Sequence, residues 1–354
     1  MKNSEKDSHT KASSVRRRYR AKSPFHAIDA AHTIVRVAES LDWQMGNISA
    51  FLKTAQHVEY GLSAEIELAA ILRWLGSCCL IHRMSEDSFS DDSNEHQVPD
   101  LLAAFRSEDR VLATLIEVKT TTDPILTLKA DYLARLRAYA ALLGRPLLIG
   151  WKCRALGIWL LFQPEAAGEV KGEFVEFTLN AAVKADLMSL IAGDFYVAPL
   201  AGAGLRLEMK RTSEKILTKD GFQATFQIQK AYFHDAAGKV EPTLPQAIQW
   251  TILAAMEGNE DVGDDRVIQS FITTGSMTRA QNILRTALAF QATDDERIHW
   301  KGVARDLDTI LRCGDILREC RARFGTFIQY VFLQQPSEMP AFIPKSWRSA
   351  SEPN

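Results

Sequence analysis

Two neighbouring apolar runs, both associated with acidic residues, constrain the fold of this chain most. A largely apolar run leads directly into Glu117, Val118 and Lys119, and Asp100 lies in a second run, Val98–Phe105. The polar stretch between the runs is typical of a tight connection, so we expect two strands paired as a hairpin. Residues i and i+2 of a strand share a face, so Glu117 and Lys119 project together while Val118 points into the core. The hairpin would bring Asp100 beside them.

This predicted cluster has two interpretations. Two carboxylates and a lysine that converge on one place suit a hard divalent cation next to a phosphate. The alternative is an exposed strand face that carries a cross-strand ion pair. Because Glu117 follows a largely apolar run, its strand is predicted to be central and buried. Burying a glutamate and a lysine there without partners would cost free energy. The pattern therefore favours a site over a surface ion pair.

Composition narrows the class of protein. The chain has 354 residues, of which 46% are hydrophobic and 24% charged, as in an ordinary globular protein of two or three domains. We expect no membrane span, because charges interrupt the apolar runs, and no secretory signal, because the N-terminal residues include no hydrophobic segment. Five cysteines without CxxC spacing predict neither disulfides nor zinc, so a cytoplasmic location is expected. Cys313 and Cys320 lie seven apart on one helical face, which favours core packing.

Charge is distributed unevenly along the chain. The net charge is −2, yet residues 1–22 carry eight Lys or Arg against two acids, including Arg16, Arg17 and Arg18. Such a tail can follow a phosphate backbone, or it can simply be a solvated disordered segment.

Hydrophobic patterning divides the chain into six parts. They are a disordered basic tail (1–26), an N-terminal helical segment (27–57), an α/β unit (58–163), a β-rich extension (164–243), a helical C-terminal region (244–333) and a flexible tail (334–354). The extension is expected to continue or flank the sheet of the α/β unit. The C-terminal helices fit either a helix-turn-helix that reads DNA or a bundle that forms a dimer.

The α/β unit carries a motif series in a recognisable order. Gly61 precedes the helical Glu65 by four residues, Arg83 ends the next strand, and Pro99-Asp100 and Ile116-Glu117-Val118-Lys119 follow. This order resembles the PD-(D/E)xK nuclease superfamily, and within it the archaeal Holliday-junction resolvase branch most closely. The resemblance covers 58–163. An acidic, Ser-rich insert from Ser85 to His96 departs from the resolvase pattern.

The resemblance implies an α/β fold with a restriction-endonuclease-like core, in which helices flank a mixed central sheet. It also implies that Asp100, Glu117 and the Val118 carbonyl hold Mg²⁺, which Mn²⁺ can replace, and that Glu65 completes or water-bridges the site. Lys119 would then orient the attacking water and help to neutralise charge on the phosphorus. The products would carry a 5′-phosphate.

Several neighbouring residues have competing interpretations. Glu67 is the rival for the helical carboxylate, but it lies about 200° round the helix from Glu65 and is expected to face solvent. Arg83 fits a phosphate contact or a surface salt bridge equally well. Tyr132 and Tyr139 lie near a position where some members of the superfamily carry a helper residue, and core packing is the favoured role for both.

These observations lead to one functional prediction and two alternatives. The prediction is a Mg²⁺-dependent DNA endonuclease from a bacterial defence or mobile-element system, acting as a homodimer and with a partner protein in that system. Arg83, Arg16, Arg17 and Arg18 are its predicted nucleic-acid contacts. One alternative is a Holliday-junction resolvase or repair nuclease that acts on branched DNA. The other is a non-catalytic scaffold that binds DNA or a partner.

Overall fold

The computed structural model describes residues 64–84, 95–108, 110–214, 216–218, 221–262, 265–291, 300, 303 and 310–349. All of them belong to one compact unit, Ala64–Asn354. The predicted basic tail with Arg16, Arg17 and Arg18, the N-terminal helical segment, Gly61 and most of the acidic insert lie outside the described residues.

The first half of this unit is an α/β layer structure. In chain order it contains α1 (64–75), β1 (Cys78–Arg83), β2 (Leu101–Ser107), β3 (Arg110–Thr121), β4 (Ile125–Lys129), α2 (Ala130–Leu142), β5 (Leu147–Cys153) and β6 (Ile158–Phe162). Five strands form a sheet in the order β1-β2-β3-β5-β6. The β3–β5 pair is parallel and the other three pairs are antiparallel, so the sheet is mixed, as predicted.

Strand β3 is the centre of this sheet and is covered on both faces. Leu115 and Ile116 are adjacent and point to opposite faces, and both are fully buried. Ile116 packs in a core with Leu68 of α1, whereas Leu115 packs in a second core with Leu133 of α2. A strand covered on both faces has an almost continuous apolar sequence, which explains the run that precedes Glu117.

Gly150 in β5 sets how closely α1 approaches the sheet. A Cβ at this position would lie 2.6 Å from Cδ2 of Leu68. The absence of a side chain therefore lets α1 pack directly over the sheet.

The β-rich extension builds sheets of its own. It contains α3 (Pro164–Ala167), β7 (Gly168–Lys171), β8 (Phe174–Thr178), α4 (Leu179–Lys184), a π-helical turn (Met188–Ala192), β9 (Tyr196–Pro199), β10 (Gly204–Arg211), β11 (Ile216–Thr218), β12 (Gly221–Gln223) and β13 (Phe226–His234). Strand β8 pairs with β4 on one side and with β7 on the other, and β10 pairs with β13 in a separate sheet. The extension thus flanks the central sheet and does not continue it in the described residues.

The prediction of a helical C-terminal region is only partly correct, because strands lie between its helices. The region contains α5 (Gln246–Leu253), β14 (Met256–Val262), β15 (Arg266–Thr273), β16 (Thr278–Arg279), α6 (Ala280–Gln291), α7 (Cys313–Ala322), β17 (Ile328–Phe332) and α8 (Lys345–Ser349). β14 and β15 form an antiparallel pair, and β15 also pairs with β10. Valine, isoleucine, phenylalanine and threonine dominate β15 and favour a strand in this environment. Because three strands separate α5 from α6, these helices do not form the helix-turn-helix considered above.

The prediction of a flexible tail from residue 334 is wrong as far as residue 349. Ile343 is 2% exposed and Trp347 is 3% exposed. The backbone N–H of Ser337 donates to the carbonyl of Lys184 at 2.7 Å. Isolated apolar residues in a Pro/Ser-rich segment have no periodicity, so their packing could not be recognised from the pattern.

The prediction that Cys313 and Cys320 pack in the core is confirmed, because both are buried. All five cysteines are free. Burial raises the pKa of the Cys78 thiol to about 12 and that of Cys320 to about 11. Across the described ranges, no helix combines the length and hydropathy needed to cross a bilayer.

Candidate active site

The β2–β3 hairpin brings Asp100 to Glu117 as predicted. Leu101 pairs with Ile116 in the antiparallel register, which makes Asp100 and Glu117 the next opposed positions. The backbone N–H of Val118 donates to Asp100 Oδ2 at 2.7 Å. Asp100 is therefore anchored to the backbone of the residue between Glu117 and Lys119.

Glu117 is buried but incompletely satisfied. The residue is 1% exposed, and its Oε1 accepts hydrogen bonds from the Lys119 ammonium and, at 2.5 Å, from the Tyr132 hydroxyl. Its Oε2 atom has no hydrogen-bond partner in the structure. A buried oxygen without a partner costs about 1–3 kcal/mol, and more when the group is charged. This carboxylate is therefore one bond short, and a ligand could supply it.

Lys119 is the cation of the cluster. Burial alone would lower the pKa of its ammonium, but Glu117, Asp100 and Glu65 together outweigh burial and raise that pKa. Lys119 is consequently protonated at neutral pH and cannot act as a base there. Its side chain remains 28% exposed, so the ammonium can still reach a ligand from solvent.

Tyr132 packs against the second core, as expected, and its hydroxyl also belongs to the site. Its hydroxyl donates to Glu117 Oε1 and lies 3.4 Å from the Lys119 ammonium, which also sits 5.2 Å from the centre of the ring. Tyr139, two turns further along the same face of α2, packs against the second core as expected. The sequence gives no periodic signal that separates the two, because both positions fit the inner side of the helix.

Glu65 and Arg83 close the other side of the cluster. Arg83 Nε donates to Glu65 Oε2 at 2.5 Å, with 42% of the arginine side chain and 12% of the glutamate side chain exposed. Of the two interpretations of Arg83, the structure shows the salt bridge. Glu65 also contributes to the pKa of Lys119, which places it within electrostatic reach of the other acids.

The expectation that Glu67 faces solvent is wrong. Glu67 is 4% exposed, pairs with Lys152 of β5 and accepts a hydrogen bond from Trp159 Nε1 at 3.2 Å. The 200° separation from Glu65 puts Glu67 on the opposite flank of α1, but that flank also contacts strands of the sheet. Both flanks are covered, so angular separation alone could not identify a solvent face.

The protein supplies only some of the oxygen ligands that a hard cation needs at this site. The described residues contain no three His, Cys, Asp or Glu side chains that converge into a ready-made metal cage. Mg²⁺ commonly binds through one or two carboxylates and keeps several waters. The unpartnered Oε2 of Glu117, the Asp100 carboxylate and the Val118 carbonyl are oxygen donors of the kind it accepts.

Comparisons with known proteins add little to this geometry. No family model matches the chain, and no curated protein matches it. Among solved structures, the chain is similar to Hjc, a Holliday junction resolvase of the archaeal hyperthermophile Archaeoglobus fulgidus, at 20% identity and a TM-score of 0.30. The match covers 38% of this chain and 96% of that one. A likeness of this size does not assign the chain to a family.

Proposed function

We propose that this protein is a metal-dependent DNA endonuclease whose site is formed by Glu65, Asp100, Glu117, Lys119 and Tyr132. The observation that carries the proposal is the buried Glu117 carboxylate, which keeps one oxygen without a partner beside a protonated lysine. An ion-pair network that serves only stability would satisfy both oxygens. The motif order noted in the sequence supports the same conclusion.

The proposed cofactor is Mg²⁺, with Mn²⁺ as a substitute. Asp100, Glu117 and the Val118 carbonyl would hold it, with Glu65 as a direct or water-bridged ligand. Bound there, the cation would supply charge to neutralise the phosphate and would acidify the attacking water.

Lys119 and Tyr132 would have different roles in the reaction. Lys119 is protonated, so it donates to a phosphate oxygen or to the water and stabilises negative charge on the phosphorus without accepting a proton. Tyr132 holds Oε1 of Glu117, which leaves Oε2 for the ligand. Hydrolysis would form one P–O bond from water and break the bond to the 3′ oxygen, which leaves a 5′-phosphate.

The experiment compares wild type with Lys119→Ala on supercoiled plasmid, linear duplex and a four-way junction, each with Mg²⁺ or EDTA. We expect cleavage that needs metal and that falls about a thousandfold in the variant, the scale of losing one transition-state donor. Lys171→Ala is the matched control, since Lys171 of β7 pairs with Glu176 of β8, in a different sheet from the site. Its activity should equal that of wild type.

Each other outcome selects an alternative. Cleavage confined to the four-way junction would replace the general endonuclease by a resolvase. If neither wild type nor variant cleaves anything and both bind DNA equally, the core is a scaffold and the catalytic assignment fails.

Two finer parts of the proposal concern assembly and context. Cutting both strands of a duplex requires two sites, so we propose a homodimer, which light scattering would reveal as twice the chain mass. We also place the protein in a bacterial defence or mobile-element system with a partner protein. Loss of phage or plasmid restriction in a Lys119→Ala strain would test that placement.

A further inference from the structure

The carboxyl edge of the central sheet carries cations on both sides of the acid cluster. β1, β3 and β5 run in the same direction, so their carboxyl ends meet at one edge. Ligands of open α/β sheets bind outside this edge. Arg83 ends β1, Lys119 lies near the end of β3, and Arg154 follows β5.

Arg154 is fixed to the strand that carries Lys119. Its backbone N–H donates to the carbonyl of Thr121 at 2.8 Å, just beyond Lys119 in β3. The turn that it starts is closed by a hydrogen bond from Gly157 N–H to its own carbonyl at 3.2 Å. The side chain is exposed. An anchored turn therefore holds an accessible guanidinium beside the end of β3.

Arg285 of α6 reaches the same turn. Its Nη1 donates to the carbonyl of Gly157, and a Cβ at Gly157 would lie only 2.6 Å from that nitrogen. Burial lowers the pKa of Lys152, Glu67 opposes this, and both Arg285 and Arg154 lower the pKa further. The two guanidiniums thus lie close to the same ammonium, and glycine at 157 makes room for one of them.

The charges of this cluster are not balanced within the described part of the chain. Lys152 is paired with Glu67, but no ion pair with a carboxylate involves Arg154 or Arg285 there. The whole chain has a net charge of −2, so an excess of positive charge at this turn is a local feature. Guanidinium groups match the geometry of phosphate oxygens and form paired hydrogen bonds with them.

We propose that Arg154 and Arg285 form a phosphate-binding surface that holds the DNA backbone on the side of the acid cluster opposite to Arg83. Three strand spacings separate β1 from β5, about 14 Å at roughly 4.8 Å each. A DNA strand laid along this edge would contact Arg83 and Arg154 while one phosphate lies at Lys119. The identity of the ligand as DNA rests on the proposed function.

The test measures binding without cleavage. Fluorescence anisotropy of a labelled linear duplex in EDTA gives the affinity of wild type, Arg154→Gln and Arg154→Gln/Arg285→Gln at about 50 to 200 mM salt. Each lost phosphate contact should reduce the slope of log affinity against log salt by about 0.9, and the double variant should bind about tenfold more weakly at low salt. Arg318→Gln is the control, because Arg318 is 70% exposed and pairs with Asp315 on α7.

The outcomes separate this surface from the catalytic proposal. Unchanged affinity and slope in Arg154→Gln and the double variant, with cleavage intact, would overturn the surface and leave the nuclease standing. Weaker binding in both, in a protein that cleaves nothing with Mg²⁺ or Mn²⁺, would support the surface and remove the nuclease. Failure of wild type to bind DNA would overturn both. Arg154→Gln alone is decisive if the double variant unfolds, because Arg154 is exposed.

Discussion

Two clusters of buried charge in this protein look alike in composition but differ in how completely they are satisfied. One is the candidate site around Glu117 and Lys119. The other, here called the arginine clamp, consists of Asp186, Asp194, Arg279 and Gln281, which are all 3% exposed or less. Each cluster places acidic side chains against a cation beside the central sheet.

Every carboxylate oxygen of the arginine clamp has a partner. Asp186 accepts from the backbone N–H groups of Leu161 at 2.9 Å and Met188 at 3.1 Å, and from Arg279 Nη2 at 2.7 Å. Asp194 accepts from Arg279 Nε at 2.7 Å and from Gln281 Nε2 at 2.8 Å through Oδ2, while its Oδ1 accepts from backbone N–H groups. Arg279 and Gln281 also donate to the Trp159 carbonyl, so the clamp ties β16 and the start of α6 to β6.

In the candidate site, one carboxylate oxygen lacks such a partner. Oε2 of Glu117 is buried without a partner, although the residue lies in the central strand where such an atom is most costly. Complete satisfaction is what a structural network requires, and an unsatisfied buried carboxylate is what a ligand site leaves behind. The comparison therefore distinguishes the fully satisfied arginine clamp from the candidate site, although both contain acidic groups and a cation.

The largest stability effect should come from the arginine clamp. Asp186→Asn places an NH₂ donor against Arg279 and removes one of the two charges that compensate this buried guanidinium. Breaking a buried pair costs about 3–5 kcal/mol, so we expect a loss of this size in the free energy of unfolding from urea denaturation. Asp315→Asn, which breaks only the surface pair with Arg318, should cost at most about 1 kcal/mol. Equal effects of the two changes would mean that the arginine clamp contributes no more to the free energy of unfolding than the surface ion pair does.

The sequence predicts the hairpin half of the site well, because local pattern determines it. The apolar runs, the short polar connection and the two-residue period of a strand were enough to place Asp100, Glu117 and Lys119 together. The burial of β3 followed from the same run. These are short-range features, and little tertiary information is needed to read them.

The parts that the sequence does not predict depend on distant contacts. Tyr132 and Tyr139 occupy equivalent positions in the helical pattern, and only the hairpin decides which hydroxyl reaches Glu117. Glu67 is buried because Lys152 and Trp159 come from strands more than eighty residues away. Strand β15 pairs with β10, a partner that no local window contains. The arginine clamp likewise joins residues far apart in the chain, and their spacing in the sequence does not indicate that they meet.

A moderate effect is expected at Tyr132, and it should appear as metal affinity. Tyr132→Phe removes the hydroxyl that fixes Oε1, so the Glu117 carboxylate can turn away from the orientation that suits the cation. A hydrogen bond to a charged group contributes about 1.5–3 kcal/mol, so the Mg²⁺ concentration for half-maximal cleavage should rise about tenfold or more. Binding of Mn²⁺ alone, followed by electron paramagnetic resonance, should weaken in parallel.

Tyr139→Phe is the control on the same helix. It should change neither metal affinity nor cleavage, because Tyr139 packs against the core. If Tyr132→Phe lowers the cleavage rate without any change in Mn²⁺ binding, the positioning role of its hydroxyl is incorrect.

The smallest stability effect, and the sharpest contrast with the arginine clamp, is expected at Glu117. In Glu117→Gln the retained Oε1 can still accept from Tyr132 and Lys119, while the change removes the buried charge whose second oxygen had no partner. The lost ion pair with the partly exposed Lys119 and the relieved desolvation nearly offset each other, so the free energy of unfolding should change by less than about 1 kcal/mol. Glu117→Gln should nevertheless lose cleavage, as Lys119→Ala does. A loss of stability comparable to that of Asp186→Asn would show that Glu117 belongs to a structural network, and the distinction between the two clusters would then fail at its most informative residue.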